Sequence, residues 1–285
     1  MKPLTAPSKH AGFTLIELIV VIVLLGIMSF GMTQFIVNSA LGYADTARRE
    51  RLGSTSRVVI ARISQELRGA LPGSVRSDNG HCIEFIPQVG ASHYEDLPTA
   101  TALTSFTSIP MEVPGLPVAG PFYAAVDPGS LAQVYTGGAL SRGAIEQRYA
   151  DLLVVEPRTA VKVATVSFAT AETFSGRSPR QRWFLLKAPV SFCVSGDKLF
   201  RYQAVWPGAQ LDQGYAQPTP AELPDSIATG RTLLARNVGG GFEVEKIAVP
   251  RHTRVRIDLS FYEPGNSGVV ERVGIEHEVQ LRELP

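Results

Sequence analysis

The chain has 285 residues, 45% of them hydrophobic, which is ample for one core of ordinary size and marginal for two. Its 27 basic and 26 acidic side chains leave a formal charge of +1, so neither the cationic excess of a nucleic-acid binder nor an acidic tail is present. Frequent glycine (26) and proline (20) point to strands and loops over much of the length.

The first feature in chain order is an apolar segment behind a basic start. Lys2 and Lys9 precede Gly12, and no charge occurs from Leu18 to Met32. Counted from Phe13, the apolar segment is about twenty residues long, enough to cross ~30 Å of hydrocarbon as a helix. The two lysines predict that the leader stays cytoplasmic while the rest is translocated. A secretory signal peptide cut near Ala40 would share the basic start and apolar run, and a plain anchor helix would share the length. Neither accounts for Glu17, because an ionisable group inside a membrane segment costs about 2.5–3.5 kcal/mol on insertion scales. A buried soluble helix is a poorer reading still for so long an all-apolar run.

Gly12-Phe13-Thr14-Leu15-Ile16-Glu17 resembles the type IV prepilin cleavage and methylation motif at every position. The resemblance implies that a membrane aspartyl prepilin peptidase cuts between Gly12 and Phe13, removes residues 1–12 and N-methylates Phe13. It implies that Glu17 acts in assembly by pairing with the terminal amine of a neighbouring subunit. The chemistry suits the spacing. Glycine before the cut offers no side chain to obstruct the peptidase, and the cut leaves a cationic amine at Phe13. In an apolar filament core that amine offsets a carboxylate that would otherwise be buried unpaired. The family fold is α+β: a transmembrane and filament-core helix over 13–34, its amphipathic continuation over 35–72, and a β-rich periplasmic domain over 73–285. The implied partners are the prepilin peptidase, other major and minor pilins, the inner-membrane assembly platform and membrane lipid, with no nucleic acid and no cofactor.

The helix is predicted to continue past the membrane. No proline occurs from Phe13 to Leu71, and Leu52, Val59, Ile63, Leu67 and Leu71 recur at the spacing of one helix face. Arg48, Arg49, Arg51, Arg57 and Arg68 fall mostly elsewhere, as a solvated face does. Arg62 and Glu66 stand four apart and are expected to pair weakly. Pro72-Gly73 is the predicted stop. A helix over 13–71 would measure about 88 Å at 1.5 Å per residue.

Beyond it, 82–86 reads as a short strand closed by Pro87. Residues 88–150 are rich in small residues, with seven prolines between Pro87 and Pro128, and read as a long irregular insertion with short strands near 122–126 and 132–135. Strands are predicted at 152–156, 161–168, 182–187, 190–194 and 198–205, the last two joined by the hairpin turn Ser195-Gly196-Asp197. After a proline-containing loop over 207–230, strands at 232–238 and 242–249 flank Gly239-Gly240-Gly241, read as a turn. Segments 254–262 and 272–282 alternate cleanly, with Val255, Ile257, Leu259, Phe261, Val273, Ile275, Val279 and Leu281 inward. One apolar face per strand fits an antiparallel sheet against which the amphipathic half-helix packs.

The two cysteines, Cys82 and Cys193, both fall in strands, on faces opposite to Phe85 and Phe192. In a cytoplasmic protein they would be buried thiols, whereas in an exported one they form a disulfide. The five histidines (His10, His81, His93, His252 and His277) are scattered without metal-ligand spacing. No catalytic constellation is evident. Within the pilins, residues 62–72, 82–87 and 277–285 resemble the MshO-type minor pilin of the mannose-sensitive haemagglutinin (MSHA) pilus system. Similar helix endings occur in J-type pseudopilins of type II secretion and in PilW-type minor pilins. A displayed adhesin using the 88–150 insertion is a further reading, though Trp183 and Trp206 lie outside it.

Overall fold

The computed structural model describes residues 12–71, 73–78, 80–98, 101–111, 122–126, 153–155, 162–174, 176–203, 231–247, 252–265 and 270–282. The chain divides into two compact units, Met1–Arg51 and Leu52–Pro285. Helix α1 (Leu15–Arg68) supplies residues to both. It ends before the predicted stop. Gly69 and Ala70 donate to Glu66 O (3.1 Å) and Leu67 O (2.9 Å), the tightened pattern of a closing helix, and the Leu71 N–H has turned to Ile86 O (2.8 Å). Leu71 is buried as predicted, but against the residues after the first strands rather than on the helix.

In the second unit α1 buries Leu52, Ser56, Val59, Ile60, Ile63, Ser64 and Leu67, a stripe at three- and four-residue spacing. Arg51, Arg57 and Arg68 are exposed. The two serines satisfy their hydroxyls on the helix itself, Ser56 at Gly53 O (3.0 Å) and Ser64 at Ile60 O (2.7 Å), so they bring no unpaired polar group into the core.

The described strands are β1 (Arg76–Asp78), β2 (Cys82–Phe85), β3 (Gln88–His93), β4 (Leu103–Ser108), β5 (Tyr123–Val126), β6 (Leu153–Val155) and β7 (Lys162–Glu172). They continue as β8 (Arg182–Leu186), β9 (Val190–Ser195), β10 (Lys198–Gln203), β11 (Arg231–Arg236), β12 (Val238–Ile247), β13 (His252–Pro264) and β14 (Val270–Arg282). All pairings are antiparallel, in four sheets rather than one: β1-β2-β9-β10-β11, β12-β13-β14, β3-β8-β5 and β4-β7-β6. The fold class is thus the α+β layout read from the sequence.

The main core joins the helix stripe to two sheets. Ile63 and Leu67 lie with Ile83, Phe85, Val190 and Phe192 of the five-stranded sheet and with Val255, Ile257, Leu259 and Phe261 of β13. The inward rows of β13 and β14 are those the alternation predicts. The Ser195-Gly196-Asp197 hairpin is present, with Gly196 taking a φ of 61° in its first turn position.

The glycine triplet departs from the sequence reading. Gly239, Gly240 and Gly241 do not turn; they lie inside β12, opposite Ser260, Leu259 and Asp258. The chain changes strand one step earlier, at Asn237, which has a φ of 54°. The cause is close backbone approach. A Cβ on Gly241 would overlap the Gly80 carbonyl, and one on Gly240, whose φ is 106°, would overlap the Asp258 carbonyl. Phe242 N–H donates to Gly80 O (2.8 Å), so the β1–β2 turn is tied directly to β12. Ser77 Oγ, which donates to Cys82 O at 2.9 Å, also lies 3.3 Å from Phe242 O, next to the tie.

The segment read as an irregular insertion contains β3 and β4, neither of them predicted, as well as β5 where a strand was expected. With β7 and β8 they surround a second core of Tyr94, Leu97, Phe106, Phe168, Phe174 and Trp183. Trp183 is fully buried, edge-on to Phe106 at 5.4 Å, and its Nε1–H donates to Ser108 Oγ (2.7 Å). It is therefore not available to a surface ligand. The strand expected at 132–135, the 207–230 loop and Trp206 lie outside the described residues.

One ion pair ties the five-stranded sheet to the helix, and a second fastens two of its own strands together. Arg201 Nε of β10 binds Glu66 Oε2 of the helix at 2.9 Å, alongside the expected Arg62 Nε–Glu66 Oε1 contact at 3.1 Å. Arg76 Nε donates to Glu84 Oε1 (2.8 Å), and Ser191 Oγ to Glu84 Oε2 (2.8 Å); Arg76 and Glu84 are both buried. Breaking such a buried pair from one side strands a charge. Glu84→Ala is expected to lower stability by about 3–5 kcal/mol, read from the denaturant midpoint of the purified chain. Gly241→Ala is expected to cost about 2 kcal/mol by the same assay, because the strand must move off Gly80.

Candidate functional site

The first unit presents the processing motif. Gly12, Phe13 and Thr14 precede the helix in extended chain, all exposed. Thr14 is the N-cap: its Oγ1 accepts the Glu17 N–H at 3.3 Å, and its carbonyl accepts the Leu18 N–H at 3.2 Å. The sequence reading passed over this role, although Thr14 followed by Glu17 three residues on is a recognisable capping signal. The cap sets the helix to begin at Leu15, which leaves the Gly12–Phe13 bond outside it and accessible. A Cβ on Gly12 would meet nothing within 4 Å, and its φ is not in the left-handed region. The fold therefore places no demand for glycine there.

Glu17 sits in the first turn, where the helix dipole favours a carboxylate. Its side chain is exposed and has no hydrogen-bond or ion-pair partner among the described residues. The helix around it is apolar on every side: Leu15, Ile16, Leu18, Ile19, Leu24 and Phe30 are all exposed. α1 is the one described helix long and apolar enough to cross a membrane. The exposed apolar surface runs past Met32 through Phe35, Ile36, Val37 and Leu41. Within it Thr33 returns its hydroxyl to Ser29 O at 2.8 Å, so it presents no unsatisfied donor to hydrocarbon. Further along, Arg48 Nη1 pairs with Asp45 Oδ1 at 2.8 Å.

The second unit holds the disulfide. Cys82 of β2 and Cys193 of β9 stand directly opposite each other and are joined, with Cα atoms 4.2 Å apart. They lie on the face away from Phe85 and Phe192, with Tyr202 and Phe200 beside them. His81 and His93 are exposed and His277 is half-buried on the inward row of β14. No group of three or more His, Cys, Asp or Glu side chains gathers in metal-binding geometry among the described residues. The leader, including His10, lies outside the described residues, as does the side chain of His252.

The family described as Prokaryotic N-terminal methylation motif matches residues 7–33. No curated protein and no solved structure matches the chain. The motif, on a single exposed apolar helix, supports a type IV pilin-like or pseudopilin substrate of prepilin peptidase, and is consistent with membrane anchoring.

The disulfide closes a loop with a sequence separation of 111 residues. Chain entropy sets its contribution at no more than about 5 kcal/mol. The double substitution Cys82→Ala and Cys193→Ala is expected to lower the unfolding free energy within that limit. It is also expected to abolish the mobility difference between reduced and non-reduced protein on denaturing gels. An unchanged unfolding midpoint would show that β2 and β9 stay paired without the bond.

Proposed function

We propose that the chain is a minor pilin of an MSHA-type pilus, which primes or enters the filament after prepilin peptidase has removed residues 1–12 and methylated Phe13. The observation that carries the reading is the pairing of an accessible Gly12–Phe13 bond with a carboxylate, Glu17, that has no partner among the described residues, at the head of an all-apolar helix. Once cut, each subunit bears one amine and one carboxylate a turn apart. An apolar environment favours satisfying each from a neighbour. The β-rich unit then stands on the periplasmic side as a structural subunit rather than an enzyme. Its working partners are other pilins and the assembly platform.

The MSHA assignment rests on the likeness of residues 62–72, 82–87 and 277–285. A J-type pseudopilin of type II secretion is the reading it competes with, and the neighbouring genes separate the two: an MSHA pilus cluster against a secretin-and-exoprotein cluster. The adhesin reading is weakened by the burial of Trp183.

Intact mass tests the processing. Co-expressed with a prepilin peptidase, the chain is expected to lose residues 1–12 and gain one methyl group, and Gly12→Ala is expected to block both changes. An uncut chain, or a cut near Ala40, would return it to a plain anchored or secreted β-rich protein.

A further inference from the structure

No described strand pairs with the outer edge of β14. Among the described residues β14 pairs only with β13, in unbroken register from Pro264↔Val270 to His252↔Arg282. The opposite edge of the same sheet is closed by the bonds from Phe242 to Gly80 O and from Val238 to Asp197 O. β14 has no proline, lysine or bulge over its 13 residues; its edge is guarded by charge alone, at Glu271, Arg272, Glu276, Glu278 and Arg282, so a strand that pairs there must match that charge pattern. Val273, Ile275 and Leu281, its inward row, are only half-buried at the margin of the main core.

Two features indicate what fits against it. A Cβ on Gly274 would meet nothing within 4 Å, and its φ is not positive, so nothing inside the subunit requires glycine in mid-strand. Glycine there weakens the strand, and as the residue on a two-fold axis it sets no side chain against its own copy. Arg272 is exposed and has no acidic partner among the described residues, although Glu276 and Glu278 on the same face are held by Arg256 (2.7 Å) and Arg254 (3.1 Å).

We propose that β14 pairs antiparallel with β14 of a second copy of this chain, about a two-fold axis through Gly274. In that register Arg272 faces the partner's Glu276, Glu271 faces the partner's His277, and Val273 faces the partner's Ile275, each pair occurring twice by symmetry. Competing registers fail on the same sequence. An axis at Glu276 sets that carboxylate on itself, and one at His277 sets Glu276 on the partner's Glu278. An axis at Ile275 leaves Glu271 against the partner's Val279 and breaks the Glu271–His277 pair, whereas the Gly274 axis sets only Val270, at the strand end, against a carboxylate, the partner's Glu278. A one-residue slip puts the polar row against the apolar row. The pairing extends β12-β13-β14 into a continuous sheet across the two copies. It requires neither cleavage after Gly12 nor the Glu17 carboxylate, so it stands or falls apart from the pilin reading.

Cross-linking of the full chain in native membranes tests it. The structure contains no free cysteine, so an introduced thiol has no native competitor. Gly274→Cys is expected to form a covalent dimer under mild oxidant, since the two copies of that position meet on the axis. Arg272→Cys and Glu276→Cys are each expected to fail alone and to cross-link when co-expressed. Because the apolar helices could bring copies together without this seam, a charge test accompanies it. Arg272→Glu is expected to reduce the Gly274→Cys dimer at least tenfold, and adding Glu276→Arg to restore it. Thermal unfolding midpoints of the variants confirm that each remains folded. Equal cross-linking at all three positions, capture of a different pilin instead of a second copy, or indifference to Arg272→Glu would each overturn the proposal.

Discussion

The main core of the β-rich unit depends on one stripe of α1. Leu52, Val59, Ile60, Ile63 and Leu67 share one cluster with residues of both the five-stranded sheet and the β12-β13-β14 sheet. The sheets are otherwise joined mainly by backbone: Gly80 against Gly241, and Asp197 O bound by Val238 N–H. Two sheets with one apolar face each leave a gap between them, and a helix of this diameter, dry on one side, fills it. Ser56 and Ser64 fit the same logic. They are small where the sheets come close and polar without penalty, because their hydroxyls return to the helix backbone. Glu66 then anchors the rim of the stripe to Arg201, an ion pair partly shielded from water.

The same helix is written for two different solvents. From Leu15 to Leu41 its apolar side chains point in every direction, which water does not tolerate and lipid or a bundle of like helices does. From Leu52 the buried positions narrow to one face, and the rest is mostly small or polar, with Arg57, Arg62 and Arg68 exposed. No proline or buried polar group marks the change; it is made by composition alone. A helix that satisfies its own backbone throughout can leave one environment for the other without remaking a hydrogen bond, so its apolar half and its amphipathic half need not fold in the same step.

What was legible in the sequence follows physical period. The helix stripe, the alternation of β13 and β14, the turn at Gly196 and the cysteine face all obey a short repeat or a strong local preference, and each stands where that preference put it. The misreadings occurred where a distant contact overrides local chemistry. Gly239-Gly240-Gly241 looks like a turn because glycine is permissive, yet it is strand because the Gly80 turn, more than 150 residues earlier in the chain, presses on it. β3 is built of Gln88, Val89, Gly90, Ala91, Ser92 and His93, with little apolar content, and is made a strand by β8, which carries Trp183 and Phe184. The buried Arg76–Glu84 pair has no sequence signal, since neither residue gains a neighbour until β1 and β2 are paired. In the motif itself the Gly12-Phe13 and Glu17 pattern was plain, while Thr14 was read as one letter of it and turns out to fix where the helix begins.

The placement of the second core has a consequence for the disulfide. β2 and β9 are neighbours in the sheet, and everything from β3 to β8 is inserted between them. The stem of that insertion is held at its root by backbone, with Lys187 N–H donating to Pro87 O at 3.0 Å, Leu71 N–H to Ile86 O at 2.8 Å, and Phe85 facing Val190. The entropic value of a cross-link assumes that the chain it closes is otherwise free. If the inserted lobe keeps its ends together around Trp183 in the unfolded ensemble, the bond removes little further entropy. If the lobe is unfolded there, the bond removes nearly all of it. Lobe and disulfide are thus alternative solutions to one problem of loop closure. The energetic effect of removing the cysteines measures whether the lobe closes that loop without the rest of the sheet. A small loss would identify the lobe as a self-sufficient module set into a pilin-like sheet, and a large one would make it an elaborated loop that depends on its root.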